Sequence, residues 1–242
     1  MEGMGERKYR NLISPHGLTT FRVAVQETDL FVMAERALQD ETRDAVVRHR
    51  HSIEAYIATH SRFRESLVPL EDDPLAPKIV REMLQAAQRC GVGPMAGVAG
   101  AISQFVGKDL LTHSGDVIVE NGGDIFINSS KERRVAIYAG VSPLSLKIGI
   151  LVPPERTPIG VCTSSGTVGH SRSFGKTDAV CIVSGSPTLA DAAATAVGNR
   201  VRSRGGIEEG LAVAQKIEGV LGALIIVGDA FGVWGDVELV RI

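Results

Sequence analysis

The stretch from Gly160 to Val201, GVCTSSGTVGHSRSFGKTDAVCIVSGSPTLADAAATAVGNRV, restricts this chain more than any other. It reads as a strand, a loop of hydroxyl residues and glycines, a second strand, and a helix of alanines. Almost nothing in it is bulky, so whatever packs on it comes close to the backbone. Gly91 to Gly107 (GVGPMAGVAGAISQFVG) has the same character, on a helix that Pro94 can start. Glycine inside a helix costs about 1 kcal/mol relative to alanine, so Gly97 and Gly100 together require a compensating close contact. That contact is either another helix or strand, or a ligand or metal ion touching backbone carbonyls.

The remaining elements follow from periodicity. Leu18 to Val25 and Asp29 to Met33 pattern as a strand hairpin turning at Glu27-Thr28-Asp29. Asp40 to about Leu67 patterns as a helix with Val46, Ile53 and Ile57 as its apolar stripe, and its His49 and His51 read as solvated residues rather than ligands. Pro69 to Pro77 (PLEDDPLAP) breaks that helix and marks an approximate internal boundary within a single domain, 1–242, of two packed halves. Lys78 to Cys90 is a second helix, ended by Gly91. Asp116–Glu120, Asp124–Asn128, Arg133–Ala139 and Leu146–Val152 read as an antiparallel meander. Ile207 to Gly219 is an amphipathic helix, Leu221 to Val227 a buried strand, and Asp236 to Ile242 a last strand. The sum is an α+β fold with antiparallel sheets and packed helices.

Composition excludes several functions. The formal net charge is −2, and residues 1–70, which look basic around Arg48-His49-Arg50-His51, carry ten Lys/Arg against ten Asp/Glu. No nucleic-acid partner is expected. The three cysteines, Cys90, Cys162 and Cys181, have no CxxC spacing, which fits a reducing cytoplasm rather than a disulfide framework or zinc site. No apolar leader or membrane-length run is visible, so no membrane partner is expected either.

Candidate chemistry collects at four places. Asp191 and Thr195 are spaced i, i+4 on the alanine helix, two hard oxygen donors on one face that suit Mg²⁺. The competing explanation is a capping box, Thr188-x-x-Asp191. Asn121-Gly122-Gly123-Asp124 is either a plain hairpin tip or a turn holding Asp124 beside a ligand. Ser164, Ser165, Gly166 and Thr167 form a loop able to present N–H groups and hydroxyls to phosphate, although it lacks the lysine of a GxxxxGK[ST] loop. His170 follows, and a Ser165–His170–Asp178 relay or a Cys162–His170 thiol pair can be written, without the GxSxG elbow that would support the former.

Three motifs in order, Gly97-Val98-Ala99-Gly100-Ala101, Asn121-Gly122-Gly123-Asp124-Ile125 and Ala190-Asp191-Ala192-Ala193-Ala194-Thr195-Ala196, resemble the ApbE-like proteins, the FAD:protein FMN transferases. TSSGTVGHSRSFGKTDAV and LADAAATAVGN look most like a branch of that superfamily classed as uncharacterised. The resemblance implies a T-fold-like architecture, two structural repeats around a central cleft. It implies Mg²⁺ held by Asp191, Thr195 and the carbonyl of Ala99, with FAD or FMN, or another pyrophosphate-containing nucleotide, against Gly122, Gly123 and Asp124. It further implies attack on phosphorus by a threonine of a protein acceptor, with His170 as the counterpart of the family's histidine, and a homo-oligomer. Gly100 stands where the family's GIAKG pattern has lysine, and the family's His-Ile-Ile-Asp-Pro-x-Thr-Gly segment is absent.

Overall fold

Two-residue turns frame the main sheet. Gly122 and Gly123 (φ 68° and 109°) join β3 (Val117–Asn121) to β4 (Asp124–Asn128), and Gln26, also at positive φ (51°), lies in the turn between β1 (Thr19–Val25) and β2 (Thr28–Ala34). In the computed structural model, which describes residues 13, 15, 17–164 and 177–242, these strands join β7 (Ile159–Ser164), β8 (Ala179–Ser184), β9 (Val220–Val227) and β10 (Ala230–Gly235). The eight-stranded order is β1-β2-β3-β4-β7-β8-β9-β10, each neighbour antiparallel. Both faces are covered, and so β8 (AVCIVS) is buried along its whole length instead of alternating.

One face carries a second sheet, ordered β11-β6-β5, made of β5 (Arg133–Ala136), β6 (Ile148–Val152) and β11 (Glu238–Arg241). Ile118, Ile125, Ile127, Val161 and Leu224 of the large sheet meet Val135 and Ile150 there. Helices cover the other face in two groups. α1 (Gln39–Thr59), α2 (Ser61–Glu65), α3 (Lys78–Cys90) and α4 (Val98–Leu110) pack with β1 to β4, while α5 (Pro187–Gly198) and α6 (Ile207–Lys216) pack over β7 to β9.

Three expectations are corrected. The meander is broken after β4, because the Asp116 carboxylate gathers Ser130 N (2.7 Å), the hydroxyls of Ser129 and Ser130 (3.3 and 3.2 Å) and Arg133 Nη2 (3.3 Å). That knot turns β5 and β6 into the second sheet and leaves the place beside β4 to β7. The long first helix stops at Thr59 and resumes at Ser61, and His49 is not solvated: its Nε2 lies 2.7 Å from Asp109 Oδ2 and its ring meets Phe105 edge-on. β10, AFGVWG, is an extra strand unseen in the pattern, since two glycines in six residues hide its alternation. Among the described residues no single helix is long and apolar enough to cross a membrane.

Candidate functional site

Helix α5 is positioned by its first turn. Ser186 caps it, the hydroxyl accepting from Leu189 N at 3.3 Å, and Pro187 occupies the first turn. Thr188 is buried and donates its N–H and hydroxyl to Gln104 Oε1 (3.2 and 3.1 Å), which also accepts the Ser186 hydroxyl at 2.8 Å. Gln104 in turn donates to Glu82. The capping box is therefore not formed. Asp191 instead reaches across to α4, where its Oδ2 accepts from Gly100 N at 2.9 Å, a favourable place for a carboxylate at a helix N-terminus.

This close approach answers what Gly97 and Gly100 are for. A Cβ at Gly100 would overlap the Pro187 carbonyl oxygen, and one at Gly97 would stand 2.8 Å from the Thr188 carbonyl oxygen. The neighbour that excludes side chains here is α5. A side chain at position 100 has no room against α5.

The sheet supplies the opposite wall. Asp124, first residue of β4, pairs with Asn121 across the turn and with Cys162 on β7. Asn121 Nδ2 donates to the Ala99 carbonyl at 3.1 Å, and Gly123 N donates to Glu120 Oε1 at 3.0 Å. Among the described residues no atom lies within 4 Å of where a Gly122 Cβ would stand. The Asn121–Asp124 segment is thus a hairpin tip and, through Asn121 and Asp124, a wall of this region. Ser164 ends β7 two residues beyond Cys162, on the same face. Thr195 lies one helical turn after Asp191; both keep some exposure while Ala192, Ala193 and Ala194 are buried.

Desolvation dominates the electrostatics. Burial pushes Asp191 up to about 7, against the N–H groups of Gly100 and Ala99 that favour its charged form. Asp124 is raised well above the usual carboxylate range, first by burial and then by the charge of Asp191, with Glu120 adding to it and a bond from the Cys162 thiol opposing it. The charge of Asp191 thus opposes ionisation of Asp124 at this spot. Cys162 is fully buried with its Sγ 3.4 Å from the Pro187 carbonyl oxygen, and its thiol is pushed up by burial, so it is a packed strand cysteine and not a poised nucleophile. Cys90 at the end of α3 is likewise raised to about 12, by burial, opposed by Arg89 and helped by Asp191.

Asp191, Asp124, Asn121 and the Ala99 carbonyl are brought together, with Gly122, Gly123, Thr195 and Ser164 on the surrounding elements. Ser165, Gly166, Thr167 and His170 lie outside the described residues. Asp178, offered for the relay, accepts from Gly228 N at 2.7 Å and so serves the β9–β10 turn. Sequence reasoning missed Gln104 and the Asn121–Ala99 bond. A glutamine inside an otherwise apolar helix was the signal for the first; nothing local announced the second.

Residues 10–231 match the family described as AbpE bacteria. The chain belongs to that family. Curated relatives named UPF0280 protein are similar along most of its length: 39% identity over 216 residues in Methanosarcina acetivorans, covering 88% of this chain and 85% of the relative. The relative in Methanothrix thermoacetophila is 42% identical over 202 residues, covering 82% and 84%. Among solved structures, the flavin transferase ApbE from Vibrio cholerae superposes with a TM-score of 0.60 at 14% identity, covering 90% of this chain and 96% of that one. The apo flavinyl transferase ApbE of Pseudomonas stutzeri gives 0.58 at 16%, covering 90% and 94%. At these identities the likeness shows the fold, an ApbE-like α+β architecture.

Proposed function

We propose that this AbpE-family chain binds a flavin or another pyrophosphate-containing nucleotide together with Mg²⁺, and that it transfers FMN or a nucleotidyl group to a protein acceptor. The observation that carries the proposal is the course of Asp191, which leaves its own helix end and lies, desolvated, against the Gly100 N–H beside a second buried carboxyl, Asp124. A desolvated carboxyl beside a backbone carbonyl, with a hydroxyl one helical turn further on, is a set of hard oxygen donors that a divalent cation satisfies. Asp191, the Thr195 hydroxyl and the Ala99 carbonyl would hold the ion, and the bound ion would supply neutralisation of charge on the pyrophosphate.

The chain's own groups have separable tasks in this proposal. Asn121, bonded to the Ala99 carbonyl, aims that oxygen; Gly122, with no side chain, lets a phosphate or ribose approach the turn. Asp124, whose proton is retained by burial, can hold or release a proton next to Asp191. Ser164 borders the acceptor side, and His170 is assigned there by the resemblance alone.

A second possibility, a cofactor-binding or assembly protein without turnover, is favoured by one observation: the overlap at Gly100 excludes the cation that the family's lysine brings. The deciding experiment incubates the protein with FAD and Mg²⁺ and follows AMP release, covalent flavin on candidate acceptors, and the melting temperature. Turnover supports transfer. A melting shift without turnover supports binding alone, and no shift with any dinucleotide or Mg²⁺ defeats both. Asp191→Asn is expected to abolish the Mg²⁺-dependent part of the shift.

A further inference from the structure

The outer edge of β10 pairs with no other strand among the described residues. β9 and β10 are joined by a two-residue loop, Gly228-Asp229, whose closing pair is Val227 and Ala230. In a hairpin of that length the closing pair exchanges both backbone bonds, so Ala230, Gly232 and Trp234 turn their N–H and C=O groups toward β9. The far end keeps the same phase, with Asp236 N donating to the Leu221 carbonyl at 2.9 Å. Phe231 and Val233 therefore direct their backbone groups outward. The strand, AFGVWG, carries no charge, no proline and no bulge, and Phe231 is 48% exposed. An edge without those protections is a template for another strand.

We propose that the strand which covers it is β10 of a second copy of this chain, paired antiparallel about a two-fold axis through Gly232. Directly opposed residues of an antiparallel pair share a face of the sheet. In this register Phe231 meets the partner's Val233, Ala230 meets the partner's Trp234, and Gly232 meets the partner's Gly232. Each large side chain thus faces a smaller one, and the outward groups of Phe231 and Val233 exchange paired N–H···O=C bonds on both sides of the axis. At each end the register brings Asp229 near the partner's Asp236, and each of these acids is neutralised within its own chain, Asp229 by Arg204 at 3.1 Å and Asp236 by Arg156 at 3.7 Å, so no bare like charges meet. An unrelated edge would have to reproduce this alternation, whereas a second copy supplies it by symmetry.

Light scattering during gel filtration is expected to give twice the 25.7 kDa of one chain. Phe231→Lys, at an exposed position, is expected to weaken dimerisation roughly tenfold or more while leaving the melting curve of the diluted protein unchanged. In the wild-type dimer the amides of Phe231 and Val233 are expected to be protected from hydrogen exchange and to lose protection on dilution. That last measurement stands even if the variant does not fold. A monomeric wild type, a dimer unaffected by Phe231→Lys, or fast exchange at both amides in a dimer each overturns the proposal.

Discussion

Asp191 shows how one side chain is decided by what lies around it. An exposed aspartic acid releases its proton near about pH 4, whereas the folded chain retains the Asp191 proton up to about 7. The folded state thus binds more protons than the unfolded state between those limits, and stability falls as pH rises through them. Asp124, raised by burial and by Asp191, acts in the same direction. With divalent ions chelated, the urea midpoint is expected to decline across that window, and Asp191→Asn to flatten the decline; an unchanged slope in the variant would assign the effect elsewhere. Gly100 is the complementary case, where absence of a side chain matters. Gly100→Ala is expected to cost about 1–3 kcal/mol in urea unfolding, because the new methyl group overlaps the Pro187 carbonyl, even though alanine is the better helix former.

At the scale of elements, α5 is held at its start by a glutamine from a different helix. Gln104 Oε1 accepts three bonds, from Ser186 Oγ and from the N and Oγ1 of Thr188, at a position only 1% exposed. Gln104→Leu keeps the volume and strands those donors, so a loss of about 1–3 kcal/mol is expected in urea unfolding. If α5 is also what aims Asp191, the variant's Mg²⁺-dependent melting shift should fall along with it, while Ser186→Ala, which removes the cap and one of the three bonds to Gln104, should cost about 1–2 kcal/mol. How much of this was legible differs by element. α3 spans Lys78–Cys90 as its amphipathic period and Gly91 indicated, since both signals are local. The hairpin at Asn121–Asp124 was equally readable, because Gly122 and Gly123 meet a backbone demand for positive φ that few other residues tolerate. The departure of β5 from the meander was not, as it depends on Arg133, 17 residues from Asp116, closing a buried ion pair.

Across the whole molecule, an eight-stranded sheet is buried between helices and a second small sheet, and the site region forms where α4, α5 and the ends of β3, β4 and β7 converge. Local patterns by themselves determined every strand but β10, most helices, the small-residue character of Gly91–Gly107 and Gly160–Val201, and the motifs that carry the family resemblance, because periodicity, turn chemistry and residue size act within a few positions. Only the tertiary structure decided that Asp191 caps α4 and not its own helix, that Asn121 bonds the Ala99 carbonyl, and that β10 is a neutral open edge. Each of these turns on atoms 22 or more residues apart, or on which strand ends the sheet, and a chain's local preferences carry no information about such distances until hydrophobic burial has brought the elements together.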